Sequence, residues 1–303
     1  MLVVQYDGSR FFGWQIQPDQ RTVQGVLQAA ASRLTQRDCT VTGSGRTDRG
    51  VHATGQVASL RVPPSWTAEA FEKSANAVLP DDVWIQEVRR VPDDFHPRYD
   101  AVERTYLYRL GLARKARSPF HRPFCWPLDS RRIRDLDRGL LERCAEAIPG
   151  ERSFEAFAKS GQPERGTRCR VGRAEWRVWD DLGMEFVVTA DRFLHHMLRY
   201  LVGSSVAVAS GRRPLAELET LLEEGPSDEL WTSPPAPPEG LYLHHVGYPE
   251  EALRPRPEGA ASTETLDDVT TPRSSRRSRT DYATSRTAEG ASNAPGDAIS
   301  KES

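Results

Sequence analysis

The residues with the clearest chemical potential lie in one glycine-rich stretch, Gly43-Ser-Gly-Arg-Thr-Asp-Arg-Gly-Val-His-Ala-Thr-Gly55. It holds a single carboxylate, Asp48, with Arg46 two positions before it and Arg49 directly after it. Guanidinium groups that point at a carboxylate favour its charged form, so the pattern predicts an Asp48 that stays ionised at neutral pH. Such a carboxylate is a poor general base, and covalent attack is its better use. The alternative interpretation is a solvated turn with a surface ion pair.

Three histidines are further candidates for acid–base chemistry or metal binding. His52 lies in the same stretch, but a lone histidine in a loop is more often structural than catalytic. His195 and His196 have the residue type of a metal site. Adjacent positions on a rigid helix point about 100° apart, so these two side chains are not expected to share one ion. The sequence therefore predicts neither a metal nor a cofactor.

Arginine also occurs in an unusual place, the strongly apolar helix predicted over residues 193–210. There Arg199 has mostly apolar neighbours, and a buried arginine without a partner is costly. Asp48 is the obvious carboxylate for it, so we expect Arg199 and Asp48 to form an ion pair.

Basic and aromatic side chains are interleaved in the segment that joins the two halves of the chain. This composition suits a nucleic-acid surface, because cations neutralise phosphates and rings stack on bases. An ordinary solvated strand face is the alternative. The residues concerned are Arg98, Arg104, Arg109, Arg114, Lys115, Arg117 and Arg122, with Tyr99, Tyr106, Tyr108 and Phe120 among them.

Composition sets limits on the class of protein. The chain has 303 residues, a net charge of −2 and 38% hydrophobic residues, so any nucleic-acid function needs a local basic surface. No apolar run is long enough to span a bilayer, and the N-terminus does not have the pattern of a signal peptide. The four cysteines are widely spaced, which favours neither a disulfide framework nor a zinc site and fits a reducing cytoplasm. They are Cys39, Cys125, Cys144 and Cys169.

Hydrophobic periodicity divides the first half into six elements in the order β-α-β-β-α-β. Thr22 and Thr67 are the predicted N-caps of its two helices. The glycine-rich stretch becomes a loop between two strands. The predicted elements are strand 3–6, helix 22–36, strands 39–42 and 56–60, helix 67–79 and strand 83–91.

The second half repeats this order, with a loop and a short helix inserted before its last strand. The predicted fold is therefore α+β, with two ferredoxin-like units whose antiparallel sheets join edge to edge or face each other across a central cleft. A cleft between the units is the natural place for a site. The elements are strand 101–111, helix 130–148, strands 167–180 and 184–190, helix 193–210, helix 214–224 and strand 241–248.

These patterns predict three segments. Residues 1–97 form the first ferredoxin-like half with the catalytic loop 43–55, and residues 98–249 form the second half. Residues 250–303 are rich in Pro, Arg, Ser, Thr, Glu and Ala, which is typical of a disordered tail.

One family shares these motifs. The run Gly45-Arg-Thr-Asp-Arg-Gly-Val-His52 resembles the signature G-R-T-D-x-G-V-H of the TruA family of tRNA pseudouridine synthases. Further segments resemble the family in the same order between residue 2 and about residue 249, which makes chance agreement negligible. They include Tyr6-Asp-Gly-Ser-Arg-Phe-Phe-Gly-Trp-Gln15, Arg104-Thr-Tyr-Leu-Tyr108 and Phe193-Leu-His-His-Met-Leu-Arg199.

The resemblance implies a cytoplasmic homodimer that isomerises uridine to pseudouridine in the anticodon stem-loop of tRNA, without cofactor or metal. It makes Asp48 the catalytic nucleophile and Tyr106 a contact to the flipped uracil. It also implies that Arg46 and Arg199 hold or neutralise the site, and we expect Arg98 and Arg104 to bind RNA. Arg49 departs from the family, since many members carry Ala there, and Thr105 replaces an arginine found in some.

Two other classes of function remain open from the residues. A non-catalytic RNA-binding module would use the same basic and aromatic surface. A hydrolase or phosphotransferase with an aspartate nucleophile would require a divalent ion.

Overall fold

A computed structural model describes residues 1–130, 136–159 and 166–254. It confirms the predicted α+β class, because six helices accompany one ten-stranded, mostly antiparallel sheet. Within the described ranges, no helix combines the length and apolarity needed to cross a membrane.

The first half contains six elements in the predicted order, although the strand predicted at 39–42 is wrong in position and lies at Thr42–Gly43. Thr22 and Thr67 cap the two helices as predicted, since their side chains accept hydrogen bonds from the backbone N–H groups of Gly25 and Ala70. These bonds satisfy amides that have no partner inside the helix. The elements are β1 (Leu2–Tyr6), α1 (Val23–Thr35), β2 (Thr42–Gly43), β3 (His52–Ser59), α2 (Ala68–Val78) and β4 (Val83–Val88).

The second half supplies six strands and four helices. Its long strands and helices match the prediction, and two short strands were not predicted. The elements are β5 (Glu103–Gly111), β6 (Trp126–Pro127), α3 (Arg138–Glu146), β7 (Gly150–Ser153), β8 (Arg168–Trp179), β9 (Gly183–Ala190), α4 (Met197–Ala209), α5 (Leu215–Glu223), β10 (Leu241–Gly247) and α6 (Glu250–Leu253).

The strand order across the sheet is β4-β1-β3-β10-β5-β9-β8-β7, with β2 beside β3 and β6 beside β5. The two halves meet where β10 pairs in parallel with β3, in a register that aligns Tyr242 with His52 and Leu243 with Ala53. The sheet is therefore continuous, and the last strand of the chain lies between the first half and β5. This pairing brings the loop before β3 close to residues of the second half.

Two large apolar clusters stabilise the sheet. One packs α1 and α2 against β1, β3 and β4, and the other packs α3, α4 and α5 against β5, β8 and β9. Tyr106, in β5, packs against both clusters. The side chain proposed to touch substrate therefore lies at the junction of the two cores.

Several predicted boundaries were wrong for physical reasons. The helix expected at residues 193–210 begins only at Met197, because His196 has a left-handed backbone (φ +64°) that a helix cannot contain. The strand expected at 56–60 begins at His52, since pairing with β1 and β10 extends it into the predicted loop. Strand β7 carries no apolar alternation that would reveal it in the sequence.

The predicted disordered tail starts too early by a few residues, because Glu250–Leu253 forms the short helix α6. The remainder of that prediction, from residue 255 onward, lies outside the described residues. Residues 131–135 of the predicted helix 130–148 lie outside them as well, and the described helix runs only from Arg138 to Glu146, because Asp137 has an extended backbone and caps it.

Candidate active site

The loop that carries Asp48 joins β2 to β3 and is fastened to the first half of the sheet. The hydroxyl groups of Tyr6 and Thr47 are 2.8 Å apart. The backbone N–H of Trp14 donates to the backbone carbonyl of Thr47 at 3.0 Å. The Val51 N–H donates to the carbonyl of Asp48 at 3.1 Å and closes a tight turn. The backbone on both sides of Asp48 is thereby fixed, so its carboxylate has a defined position.

The aromatic segment Phe11–Trp14, which precedes α1, supports this loop from below. Phe11 and Trp14 are buried, and Gly13 adopts φ +87° where the chain passes the loop. A Cβ at Gly13 would lie 2.5 Å from the Thr47 carbonyl oxygen, so only glycine allows this approach. Two aromatics of this segment therefore pack inward, whereas Phe12 is exposed and lies under the guanidinium of Arg49, 4.3 Å from its ring centroid.

A buried amide completes the anchoring. Gln56 is fully buried in β3, where its Oε1 accepts from the Ser44 hydroxyl at 2.7 Å and its Nε2 donates to the Gly45 carbonyl at 3.0 Å. Both partners belong to the first residues of the Asp48 loop.

We expect Gln56→Ala to lower the free energy of unfolding by about 2 kcal/mol, because buried polar partners lose their hydrogen bonds. Urea denaturation followed by circular dichroism measures this change. The exposed Gln86, which pairs with Gln5 on the surface, provides the matched control, and Gln86→Ala is expected to stay within about 0.5 kcal/mol of wild type. Equal effects of the two substitutions would contradict the anchoring role of Gln56.

The carboxylate of Asp48 contacts two histidines from the second half. The Nε2 atom of His195 lies 3.4 Å from Oδ1, and the Nε2 atom of His196 lies 3.1 Å from Oδ2. Burial lowers the pKa of His196, although the charge of Asp48 opposes that shift, so His196 is largely neutral at neutral pH. The side chain of Asp48 is 30% exposed, which leaves one side of the carboxylate open.

The prediction that His195 and His196 do not share one ion assumed a continuous helix, and the structure has no helix at these two residues. His195 and His196 precede α4, and the left-handed backbone of His196 brings their ring centroids to 4.2 Å. One ligand atom from each histidine and one from Asp48 all lie within 4.8 Å of one another. These three are the described residues that could hold a metal ion. The prediction that the reaction uses no metal stays a prediction.

Neither predicted arginine forms an ion pair with Asp48. Arg199 is partly buried, but its Nε donates to the carbonyl of Ala236 at 2.7 Å. Arg46 is exposed on the loop, and within the described residues no salt bridge joins it to the carboxylate. The Ala236 carbonyl is the acceptor that we had expected Asp48 to be, so the predicted Arg199–Asp48 pair is wrong.

Tyr106 lies close enough to Asp48 for the two groups to influence each other. Burial raises the pKa of Tyr106 to about 12, and the charge of Asp48 adds to this rise. Its ring packs edge-on against Phe193, with the centroids 5.0 Å apart. In the described part of the chain its hydroxyl has no hydrogen-bond partner, and the oxygen is not sealed from solvent. Tyr106 therefore combines a partly buried ring with a hydroxyl that has no partner among the described residues, within electrostatic reach of Asp48.

Two arginines of the predicted basic surface contact other groups of the protein. Arg104 donates to the carbonyls of Ala101, Asp191 and Arg98 at 2.7–3.1 Å, which holds the segment before β5 in place. Arg109 points to the opposite face of the sheet, where it contacts Glu185 at 3.1 Å and stacks over Tyr242. Binding of RNA by Arg98 and Arg104 stays a prediction.

His52 has the structural role that we considered the more common one. It is buried, its Nδ1 accepts from the Gly8 N–H at 3.0 Å, and its Nε2 lies 3.0 Å from the Pro123 carbonyl. The ring also stacks on Tyr242, with the centroids 4.8 Å apart. Both nitrogens are occupied, so His52 is not available as a proton carrier.

The sequence reasoning missed the contact of His195 and His196 with Asp48. Histidine is among the residues enriched in the left-handed conformation, which is a weak signal that the helix starts after His196.

Comparison with known proteins identifies the family of this chain. A family model described as tRNA pseudouridine synthase matches residues 2–100 and 144–249. A protein named tRNA pseudouridine synthase A from Burkholderia thailandensis is 37% identical over 262 residues, covering 84% of this chain and 91% of that protein. Proteins of the same name from Dictyoglomus turgidum and Solidesulfovibrio magneticus are 37% and 38% identical, and the alignments cover 98% and 90% of their lengths. The chain, with Asp48 at the junction of its halves, belongs to the tRNA pseudouridine synthase family.

Proposed function

We propose that this protein isomerises uridine to pseudouridine in tRNA, with Asp48 as the nucleophile. Family membership supports the reaction class. The observation that carries the assignment of Asp48 is its anchored, partly open carboxylate within electrostatic reach of the phenol of Tyr106. The protein is an isomerase, so reactants and products contain the same atoms and no redox partner is needed.

The chemistry requires three tasks, and residues near Asp48 suit each one. The uridine must leave the base stack, at a cost of a few kcal/mol, before its glycosidic bond is reached. Asp48 then acts at the sugar while the bond from C1′ to N1 breaks, and the base turns so that C5 bonds to C1′. Because its pKa is raised, Tyr106 is a neutral phenol at neutral pH. Its oxygen can therefore accept the proton from C5 only while its own hydroxyl proton leaves. The phenol's own proton goes to N1, and the proton taken from C5 exchanges with solvent, so one proton leaves C5 and one is gained by N1.

We propose further that each half is a ferredoxin-like unit, with a boundary near residue 97. The strand orders β4-β1-β3-β2 and β10-β5-β9-β8 support this, since both read fourth-first-third-second when the four predicted strands of each half are counted, leaving out the short β6 and β7. Asp48 comes from the first unit and the histidines from the second. The edge-to-edge junction then forms the floor of the substrate cleft.

The substrate is the anticodon stem-loop of tRNA, and the protein works in the cytoplasm as a homodimer. The family resemblance supports the substrate, the cellular location and the oligomeric state. Mapping of pseudouridines in tRNA from cells with and without the protein tests the first, and loss of modified positions in the anticodon arm is the expected result. Light scattering of the purified protein tests whether it is a homodimer. The same set of pseudouridines in tRNA from cells with and without the protein would contradict the proposed function.

Release of tritium from tRNA labelled at uridine C5 distinguishes an isomerase from a module that only binds RNA. We expect release at a rate proportional to protein concentration. Unchanged release in excess chelator would exclude the metal-dependent hydrolase. No release by the folded protein would favour the binding module.

Removal of residues 255–303 is expected to leave kcat/KM within about twofold, because the matched family region ends at residue 249. The assay is tritium release at several salt concentrations. A large decrease at low salt that shrinks as the salt concentration rises would show that Arg273, Arg276, Arg277 and Arg279 contact the RNA backbone.

A further inference from the structure

We propose that Asp48, His195 and His196 form a binding site for a divalent transition-metal ion of the Zn²⁺ class, and that the bound ion inhibits the enzyme. The inhibition rests on the proposed role of Asp48 as nucleophile, whereas the binding does not. The ion is an inhibitor and takes no part in the isomerisation, because it occupies the carboxylate that must act at the sugar.

The donor set matches the preference of zinc. Zn²⁺ binds imidazole nitrogen at about 2.0–2.1 Å and carboxylate oxygen at about 2.0–2.2 Å, and tetrahedral ligands at these distances lie roughly 3.3 Å from each other. The Nε2 atom of His195 lies 3.4 Å from Oδ1 of Asp48, and the Nε2 atom of His196 lies 3.1 Å from Oδ2. One ligand atom from each of the three residues lies within 4.8 Å of the other two. To hold one ion between them, the side chains must close from separations of up to 4.8 Å to about 3.3 Å.

The backbone explains how two adjacent histidines meet at one point. His196 has φ +64° and is the N-cap of α4, so the two imidazole rings lie on the same side with centroids 4.2 Å apart. Its carbonyl accepts from the N–H groups of Arg199 and Tyr200, and the His195 carbonyl accepts from the Lys159 N–H. Both ligand-bearing residues are therefore fixed by hydrogen bonds that do not involve their rings.

Access to this site is open on one side. The side chains of His195, His196 and Asp48 are 47%, 15% and 30% exposed, respectively, so an ion can enter and keep water at the remaining position. Arg199 and Lys159 oppose a cation here, because their charges reach His196. We therefore expect binding weaker than in a closed structural zinc site, and easy reversal by chelators.

Selectivity follows from the ligand types. Mg²⁺ prefers oxygen ligands in an octahedral arrangement, and two of these three donors are nitrogen. The Mg²⁺ needed to fold the tRNA substrate should therefore leave the site free, whereas Zn²⁺ and Co²⁺ should occupy it.

Equilibrium binding to the full-length protein tests the site without reference to turnover. We expect calorimetry with Zn²⁺ to show one high-affinity site per chain, and Co²⁺ to give a visible absorption band. His195→Ala and His196→Asn should each weaken Zn²⁺ binding at least about 100-fold, since changes outside the first shell already cost 10–100-fold. Asparagine is chosen at His196 because it tolerates the left-handed backbone. No Zn²⁺ binding, or equal binding by wild type and both variants, would overturn the proposed site.

The chain contains a matched control, the exposed pair His244 and His245 in β10. Within the described residues this pair does not belong to a group of three converging ligand residues, so it lacks the third donor that Asp48 gives to the other pair. His245→Ala should bind Zn²⁺ like wild type, and a loss equal to that of His195→Ala would overturn the ligand assignment.

Turnover tests the inhibition. At subsaturating tRNA and excess Mg²⁺, the Zn²⁺ concentration for half-inhibition should equal the dissociation constant measured by calorimetry, and chelator should restore the full rate. Zn²⁺ that binds through the two histidines without slowing tritium release would overturn the inhibitory role while leaving the isomerase intact. If the protein shows no turnover at all, the proposed function fails and the binding curves still decide the metal site.

Discussion

Asp48→Asn is expected to reduce pseudouridine formation at least about 10⁴-fold and to leave tRNA binding within a few-fold. The amide matches the carboxylate in size but has no negative charge and is a very poor nucleophile. The loop should keep its shape, because its anchors are backbone groups and the side chains of Thr47 and Gln56. The measurements are single-turnover tritium release and filter binding with the same tRNA.

The control for this experiment is another carboxylate outside the site. Asp82 forms a two-point contact with Arg21 on the surface, and Asp82→Asn removes one charge of the same kind. We expect it to retain the wild-type rate and to change stability by no more than about 1 kcal/mol. Equal losses of binding and of turnover in Asp48→Asn would contradict the nucleophile assignment, since they would place Asp48 in RNA recognition.

Tyr106→Phe is expected to have the second largest effect, a decrease of about 10²–10⁴-fold in kcat, the usual contribution of a positioned proton-transfer group. The hydroxyl has no hydrogen-bond partner within the described residues, so its removal should not disturb the two cores on which the ring packs. The ring remains available to stack on the flipped base. The dissociation constant for tRNA should therefore stay close to the wild-type value.

Tyr108, two residues further along the same face of β5, is the matched control. Its hydroxyl donates to the Pro237 carbonyl at 2.8 Å, so Tyr108→Phe should cost about 1 kcal/mol of stability and leave kcat unchanged. Single-turnover rates and thermal denaturation of both variants provide the comparison. A Tyr106→Phe enzyme with the wild-type rate would show that only the ring of Tyr106 matters.

The contacts of Asp48 change the electrostatic description of the site. Two imidazoles, one of them largely neutral, lie beside the carboxylate where we had expected two guanidinium groups. Imidazoles impose a weaker field on the carboxylate than fixed cations would. Arg46 is exposed and unpaired with Asp48, so it is available for an RNA phosphate, which would bring its charge to the site only when substrate binds.

Local patterns were enough to predict most elements of this fold. Periodicity located the helices α1, α2, α4 and α5 and the long strands, because alternation and the 3.6-residue repeat are properties of neighbouring residues. The same holds for the caps at Thr22 and Thr67, whose hydrogen bonds reach only three residues along the chain. The glycines, Asp48 and the flanking motifs also identified the loop that carries the chemistry.

Tertiary structure alone decided which side chains meet at Asp48. Strand β10 pairs with β3 across about 190 residues of chain, and no local pattern encodes that contact. Arg199 turned to the Ala236 carbonyl because the segment before β10 passes beside α4, which supplies an acceptor that the sequence could not locate. The left-handed backbone of His196 then directed two adjacent imidazoles to one carboxylate. Asp48 could therefore be identified as the candidate nucleophile from its own neighbours in sequence, whereas its partners depended on which distant segments pack beside it.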